Sequence, residues 1–469
     1  MRSLLIFFLL FTLTACAIGP DYTRPKVTIP NGWRIESTDA KAVANTAWWE
    51  QFSDPVLSEL IRIALKENYD LKIATARVEE YVGRYWEGRS SLFPQLYATG
   101  DAGSQRSSER LASPVPSSIN NPSGFYQAGF NGSWEIDVWG RLRRLTEAAK
   151  ADLLSTEEGR RAVILTLVTS VANAYVNLRD LDKQLVIAVD TAKSREDSYK
   201  LFTLRFEGGV ISELELSQVK SEYEQALARI PVLQKQVSQQ ENGISVLLGR
   251  NPGPIPRGKT IDELTLPTIP EGLPSDLLER RPDIRQAEQD LIAANARIGA
   301  AKALFFPTIS LTGNFGWAST DLSKLFSGPS QAWSWAGSFT APIFTGGSLL
   351  GNYKATQAIQ QQLLFTYQKA IQTAFKEVDD SLADQKGTRE QLQAQARQVE
   401  ALTTYARVAR LRFDEGYTSY IEVLDAERSL FNASLEYAQS QGVLFQSPVN
   451  LYKAMWGGWV TEAGRITDQ

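Results

Sequence analysis

The sequence predicts a mixed α/β membrane protein, mostly α, whose chains each give four strands to a shared β-barrel and continue it with long helices. Three observations predict this. The chain repeats itself; the hydrophobic period switches from 3.6 to 2 at matching places in both repeats; and the helical seams are far longer than a bilayer is thick.

The repeat is clearest in Arg412–Phe431, RFDEGYTSYIEVLDAERSLF, and Arg205–Leu216, RFEGGVISELEL. Arg205 matches Arg412 and Gly209 matches Gly416, both at an offset of 207. Further upstream Asp70 pairs with Asp283 and Pro94 with Pro307, each at an offset of 213. Gly140 to Gly209 and Gly347 to Gly416 are both 69 positions, without slippage. Residues 55–250 and 275–457 are therefore two copies of one unit: helix, hairpin, very long helix, turn, long helix. The Pro/Gly-rich stretch 251–274 links them.

Composition limits the chemistry. The 469 residues are 43% hydrophobic with a net charge of −4, enough for a large core and no reason to expect nucleic acid. The chain has no histidine, which removes the usual general base and the commonest metal ligand. Its one cysteine, Cys16, excludes an intrachain disulfide or a thiolate metal cluster.

The elements follow in order. Residues 1–15 have a short cationic start, the apolar run Leu4–Leu13 and a small Ala15, which is the pattern of a cleaved signal. Leu13-Thr14-Ala15-Cys16 has the form of a lipobox, with acylation of Cys16 after cleavage. No other stretch reads as apolar enough to be a spanning helix, so a mature chain that crosses a membrane does so as strands. Residues 16–54 are rich in turn formers and read as an extended, lipid-anchored arm. Asp54 and Pro55 have the N-cap and first-position chemistry of a helix, expected to run to about Leu92 before Pro94.

After Pro94, Leu96, Ala98, Gly100 and Ala102 alternate with polar residues. Alternation resumes at Tyr126–Val138 and recurs in the second copy at Thr308–Trp317 and Trp333–Ile343. These are four strands of the length and one-sided apolarity of a transmembrane barrel. A β-sandwich with a dry core shows the same alternation. Four strands cannot close a barrel, and an open sheet edge in lipid leaves amides unsatisfied. The chain must then oligomerise, and three copies would give twelve strands.

Val163, Leu167, Val171, Ala174, Leu178, Leu181, Leu185, Ala188 and Ala192 keep three/four spacing along a helix expected from about Arg141 to Glu207. At 1.5 Å per residue it is roughly 100 Å long, about three times the ~30 Å hydrocarbon core. A coiled-coil stalk shares this seam. Gly209 and Gly416 supply the positive φ of helix ends, so the helices reverse there. Pro231 and Pro448 should each kink or interrupt a helix. Residues 458–469 form a short tail.

Several motifs together resemble the TolC-type outer membrane factors, and within them the OprM-like lipoproteins of resistance–nodulation–division efflux systems. They are the lipobox at Cys16, WW-x-x-F-x-D-P at Trp48–Pro55, WEIDVWGRLRR at 134–144 and GLPSDLLERRPDI at 272–284. AAKALFFPTISLTG at 301–313, PIFTGGSL at 342–349 and LYKAMWGGW at 451–459 add to them. The resemblance covers nearly the whole chain. It implies a homotrimer with a twelve-stranded outer membrane barrel and a periplasmic α-barrel, whose turn end meets a periplasmic adaptor and an inner-membrane pump. It implies no catalysis and no cofactor beyond covalent lipid on Cys16, and Ala17 in place of Asp implies the outer membrane. Arg205, Gly209, Val210, Arg412, Gly416 and Tyr417 then form the adaptor-docking tips. Ile421 and Asp425 match positions of the family's periplasmic constriction, and Arg428, three residues on, is placed to hold it shut. Pro448 and Tyr417 depart from the family pattern.

The function this implies is passive efflux of drugs or other small molecules. The alternatives are a type I protein-secretion duct of the same fold, a non-conducting periplasmic stalk, and an enzyme using Glu422 and Asp425 as acid and base.

Overall fold

The structure is a computed structural model that describes residues 17–27, 29–30, 32–33, 47–108, 110, 120–268 and 274–455. Cys16, the 1–15 signal and the 458–469 tail lie outside the described residues. The elements are α1 (Pro55–Glu67), α2 (Tyr69–Ser90), β1 (Gln95–Gln105), β2 (Ser123–Ile136), α3 (Arg141–Glu207) and α4 (Glu213–Leu247). The second half gives α5 (Leu277–Arg280), α6 (Pro282–Ala303), β3 (Thr308–Ser319), β4 (Gln331–Thr340), α7 (Ser348–Asp414) and α8 (Tyr420–Met455). α3 and α7 are both 67 residues long, and α2 and α6 are both 22, so the two halves share one plan.

The described chain divides into two compact units. One comprises the described residues within 1–26, 77–156 and 286–367 and contains the sheet. Its strands run antiparallel in the order β1-β2-β3-β4, leaving β1 and β4 each with one edge unpaired among the described residues. The register fixes the faces, because cross-strand partners point the same way. Leu96 faces Gly132, Phe130 faces Phe315, Trp134 faces Leu311, and Phe315 faces Trp333, all on one apolar face. On the other, Thr99, Asn131, Ser310, Asn314, Ser334 and Ser338 form a polar surface knitted by bonds such as Asn131 Nδ2 to Thr99 Oγ1 at 3.0 Å. Apolar residues thus occupy the face that meets lipid and polar ones the face that meets water, as in a membrane barrel.

Asp137 ends β2 and opens α3, accepting bonds from the amides of Leu142 and Arg143 at 3.0 and 2.9 Å. Within this unit α3 packs on α6 through Ala148, Ala151, Ala293 and Ala296, small side chains that let two helices approach closely. Residues 17–24 are clamped to the same helices. The Arg24 guanidinium forks onto Glu288 at 2.7 and 2.6 Å, Tyr22 donates to the same carboxylate at 3.0 Å, and Asn295 Nδ2 donates to the Pro20 carbonyl at 2.9 Å.

The other unit comprises the described residues within 27–76, 157–285 and 368–469. Its core seam joins α3, α4 and α8 through Leu181, Ala188, Leu233 and Phe431. Asp54 caps α1 as expected, and its second oxygen takes the Tyr175 hydroxyl at 2.8 Å and the Lys259 amide at 3.0 Å. Arg281, in the 272–284 motif, is buried and meets Asp283, Glu377 and the Ala454 carbonyl, joining the start of α6 to α7 and α8.

Four expectations need correction. The helix from Pro55 breaks at Asn68, whose Oδ1 caps the Leu71 amide at 3.0 Å while its Nδ2 reaches the Leu247 carbonyl at 2.9 Å. The arm is not extended throughout, since Trp48–Phe52 forms a helical turn with Trp48 and Phe52 fully buried and Trp48 stacked on Tyr452. Pro231 and Pro448 lie within α4 and α8 without ending them. The lost backbone bond is outweighed there by packing just after each proline, with Leu233 and Val449 both fully buried. Finally, α3 does carry a stretch long and apolar enough to cross a membrane, but over half of it is buried inside the chain, which fits a core helix.

Candidate functional site: the paired helix turns

Helix α3 ends at Arg205-Phe206-Glu207-Gly208-Gly209, and the backbone bonds explain why it stops. The Val210 amide bonds the Arg205 carbonyl at 2.9 Å and the Gly209 amide bonds the Phe206 carbonyl at 2.9 Å. Helix α7 repeats the arrangement, with Tyr417 to Arg412 at 2.8 Å and Gly416 to Phe413 at 2.9 Å. Both are Schellman caps, which require a left-handed residue after the helix. Gly209 and Gly416 provide it at φ 67° and 78°. A methyl group on either would meet no heavy atom within 4 Å, so conformation rather than intrachain crowding selects glycine.

The next helices start differently. Ser212 and Glu215 form a reciprocal capping box on α4, the Ser212 amide donating to Glu215 at 2.8 Å. At the second turn the corresponding Glu422 instead lies 3.8 Å from the Arg412 guanidinium.

A small core joins the ends of four helices. Phe202 of α3, Val219 of α4, Ala409 of α7 and Tyr420, Val423, Leu424 and Ala426 of α8 are its buried members. The Phe202 and Tyr420 rings are 4.2 Å apart, Phe413 meets Tyr420 edge-on at 4.9 Å, and the Arg205 guanidinium sits over the Phe202 and Phe413 rings at 5.5 and 5.7 Å. Thus Arg205 is drawn toward the aromatic faces, whereas Val210 and Tyr417 remain exposed, at 75% and 77%.

The residues singled out beyond the second turn lie on the open side of α8. Ile421 is 56% exposed and Asp425 and Arg428 are exposed as well. Arg428 Nη2 stands 3.6 Å from Asp425, and its Nε stands 3.9 Å from Glu222 of α4. These are ion pairs, longer than hydrogen bonds. Glu422 and Asp425 each face an arginine, a poor arrangement for an acid–base pair.

Sequence reading missed an ionic network one to two turns further in. Arg195 is buried on α3, 3.1 Å from Glu222 and 5.2 Å from the centre of the Phe431 ring. Burial pulls its pKa down. Glu427 of α8 faces Arg410 at 3.5 Å, and burial pushes its carboxyl up against the pull of Arg410 and Arg195. Arg410 also donates to the Tyr420 hydroxyl at 3.3 Å. The signal was present, because Arg195 continues the Ala188, Ala192 seam and Glu427 lies on the buried side of α8. Among the described residues, no group of His, Cys, Asp and Glu is arranged to hold a metal.

A sheet with a lipid-facing and a water-facing side and two open edges, on a chain with very long helices, defines a subunit of an oligomeric membrane channel. The sequence relatives agree. Residues 60–250 and 273–457 match the family described as outer membrane efflux protein, and the chain belongs to that family. It is 38% identical over 468 residues to the toluene efflux pump outer membrane protein TtgC of Pseudomonas putida, covering 98% of this chain and 96% of that one. It is 36% identical to the cation efflux system protein CusC of Escherichia coli, covering 97% and 99%. The solved open-state MtrE outer membrane channel of Neisseria gonorrhoeae superposes with a TM-score of 0.84 at 32% identity, over 95% and 99% of the two chains. The protein is thus an outer membrane component of an efflux pump in a Gram-negative envelope, reaching into the periplasm, and its fold is that of the trimeric channels in which three chains supply twelve strands.

Proposed function

We propose that the trimer is a passive exit duct for a tripartite pump, receiving its cargo from an inner-membrane resistance–nodulation–division pump through a periplasmic adaptor. It carries out no catalysis and needs no cofactor; Cys16 carries covalent lipid after signal cleavage. The exposed faces of the two turns, at Arg205, Gly209, Val210, Arg412, Gly416 and Tyr417, receive the adaptor. One relative is named for toluene and another for cations, and this range fits a duct that leaves selection to its pump.

The single observation that supports the gate is the second turn itself. Phe202, Phe413 and Tyr420 fix the start of α8, and Ile421, next to Tyr420, and Asp425, one turn further on, stand exposed on that helix. In a trimer each contributes a ring, one apolar and one anionic. A narrow apolar ring resists wetting, and an acidic ring favours cations and repels anions. Arg428, between Asp425 and Glu222, ties α8 to α4 beside the rings.

Single-channel conductance of Asp425→Ala and Ile421→Ser tests this reading. Both variants should conduct more than the parent, and Asp425→Ala should lose cation preference. Unchanged conductance and selectivity in both would place the constriction elsewhere. Cross-linking in native cells, followed by identification of the captured adaptor and pump, tests the assembly.

A further inference from the structure

Ile343 and Phe344 are the most exposed large apolar side chains among the described residues, at 98% and 90%. They follow the end of β4, which is one of the two open edges of the sheet. Their place relative to the other open edge can be worked out from the register. Gln95 at the start of β1 faces Ser133, Ser133 faces Thr312, and Thr312 faces Ala336. From Ala336 to Thr340, the last residue of β4, is four positions. The helix-side end of β4 therefore runs four residues past the row on which Gln95 sits.

Closing the barrel with three identical chains puts β4 beside the β1 of the next copy. That pairing is antiparallel like the others, so the end of β4 meets the beginning of the neighbouring β1. Threefold symmetry also returns the neighbour's Gln95 to the height of the first, level with or just past Thr340. The residue two positions before it, Phe93, then comes opposite the segment that holds Ile343 and Phe344. Phe93 is 54% exposed in the single chain, with the Arg89 guanidinium over its ring at 6.0 Å, and Leu96 is 72% exposed. The two apolar clusters are complementary, and among the described residues of one chain Ile343 and Phe344 are almost bare while Phe93 and Leu96 are only partly covered.

We infer that Ile343 and Phe344 of one copy pack on Phe93 and Leu96 of the next, forming an apolar lock at the helix-side rim of each seam of the shared barrel. The occupant is a second copy and not lipid, because the two residues lie past the ladder, on the line of the open edge. The lock sets the pairing register of β4 with its neighbour. The one-sided alternation of β4, with Trp333, Trp335 and Phe339 on one face, resists a slip of one residue but not of two, which keeps the same faces.

The test pairs Phe93→Cys with Phe344→Cys, and separately with Ile343→Cys, in the full-length chain in outer membrane vesicles. Native mass in detergent first establishes that each variant is trimeric. Within one chain β1 and β4 are three strand spacings apart, about 14 Å, beyond the ~7 Å limit for a disulfide. Any disulfide between the two introduced cysteines therefore joins two copies. Copper-phenanthroline oxidation should convert at least one double variant to dimer and trimer bands on a denaturing, non-reducing gel. Each single variant, which keeps Cys16, should stay monomeric. Monomer bands from both double variants, in preparations shown to be trimeric, would overturn the lock. A second measurement uses Phe344→Ser and Phe344→Leu. The serine variant should dissociate to monomer at a lower temperature in detergent and the leucine variant near the parent value; equal dissociation of all three would also overturn it.

Discussion

Removing the Phe202 ring should loosen both turns while leaving the rest of the chain intact. Phe202 is 1% exposed, and its ring lies 4.2 Å from Tyr420 and 6.1 Å from Phe413. Truncation of a buried Phe to Ala costs about 3–5 kcal/mol, combining lost burial with the cavity left behind. The aromatic contacts with Tyr420 and Phe413 and the Arg205 guanidinium over the ring are lost together. This cost falls on the cluster that joins the ends of α3, α4, α7 and α8. Local opening should therefore become easier by roughly one hundred- to a few thousandfold, since about 1.4 kcal/mol is a tenfold change. Hydrogen exchange read by mass spectrometry in Phe202→Ala should show faster exchange in residues 199–219 and 406–426, with peptides of β1–β4 unchanged. Phe202→Leu, which keeps most of the volume, should recover most of the protection. Uniformly faster exchange throughout the chain, or none at the two turns, would refute the view that this cluster holds them together.

Two further outcomes follow from the same structure. Gly416→Leu forces a side chain into a backbone at φ 78° without an intrachain clash. It should cost about 1–2 kcal/mol, leaving trimer level in the membrane unchanged while efflux, measured as drug accumulation, is lost; failure of the trimer to assemble would reduce the glycine to a cap. Asp180 is buried on α3 with Gln184 donating to it at 3.0 Å, and burial pushes its carboxyl up from 3.8 to about 6. The folded chain then holds a proton that the unfolded chain releases, so this group's contribution falls as pH rises through 3.8 to about 6. Two units correspond to at most about 3 kcal/mol. Asp180→Asn should thus raise the melting temperature at pH 7.5 and do little near pH 4, and an equal shift at both would contradict the assignment.

What the sequence made legible depended on how local the cause was. The strands were readable because alternation is a property of neighbouring residues, and the turns because Gly209 and Gly416 answer a backbone demand made by their own helix. The break at Asn68 was not. Its cap is local, but the Asn68 Nδ2 bond goes to Leu247, and Gly249 packs directly against Glu67 and Asn68 from the far end of the first copy. Trp48 and Phe52 were read as part of an open arm because their partners, Tyr452 and Phe445, lie some four hundred positions downstream. The buried Arg195 was visible only as a charge on an apolar seam, and its partner Glu222 is set by how α4 folds back on α3. Periodicity shows which face of a helix is buried and leaves open what it is buried against.

The duplication bears on the proposed gate through the places where the copies differ. Both turns keep the cap, the Arg-Phe pair and an acidic residue three after the serine, Glu215 and Glu422. These are the residues that reverse the helices, and each copy needs them. At the offset of 207, however, Asp425 corresponds to Gln218 and Arg428 to Ser221, while Ile421 corresponds to another aliphatic, Leu214. Tyr420, at the centre of the aromatic cluster, corresponds to Glu213. The apolar position is thus present in both copies, and the charged pair and its aromatic support only in the second. Two equivalent copies in each of three chains would give a ring of six acidic residues; this chain gives three. A ring of three carries half the charge, leaves neutral Gln218 on the intervening helices, and holds each Asp425 beside its own Arg428. The fold has pseudo-sixfold symmetry by duplication, whereas the electrostatics of the proposed constriction are strictly threefold. Substituting Asp425 alone should therefore be enough to remove the charge selectivity.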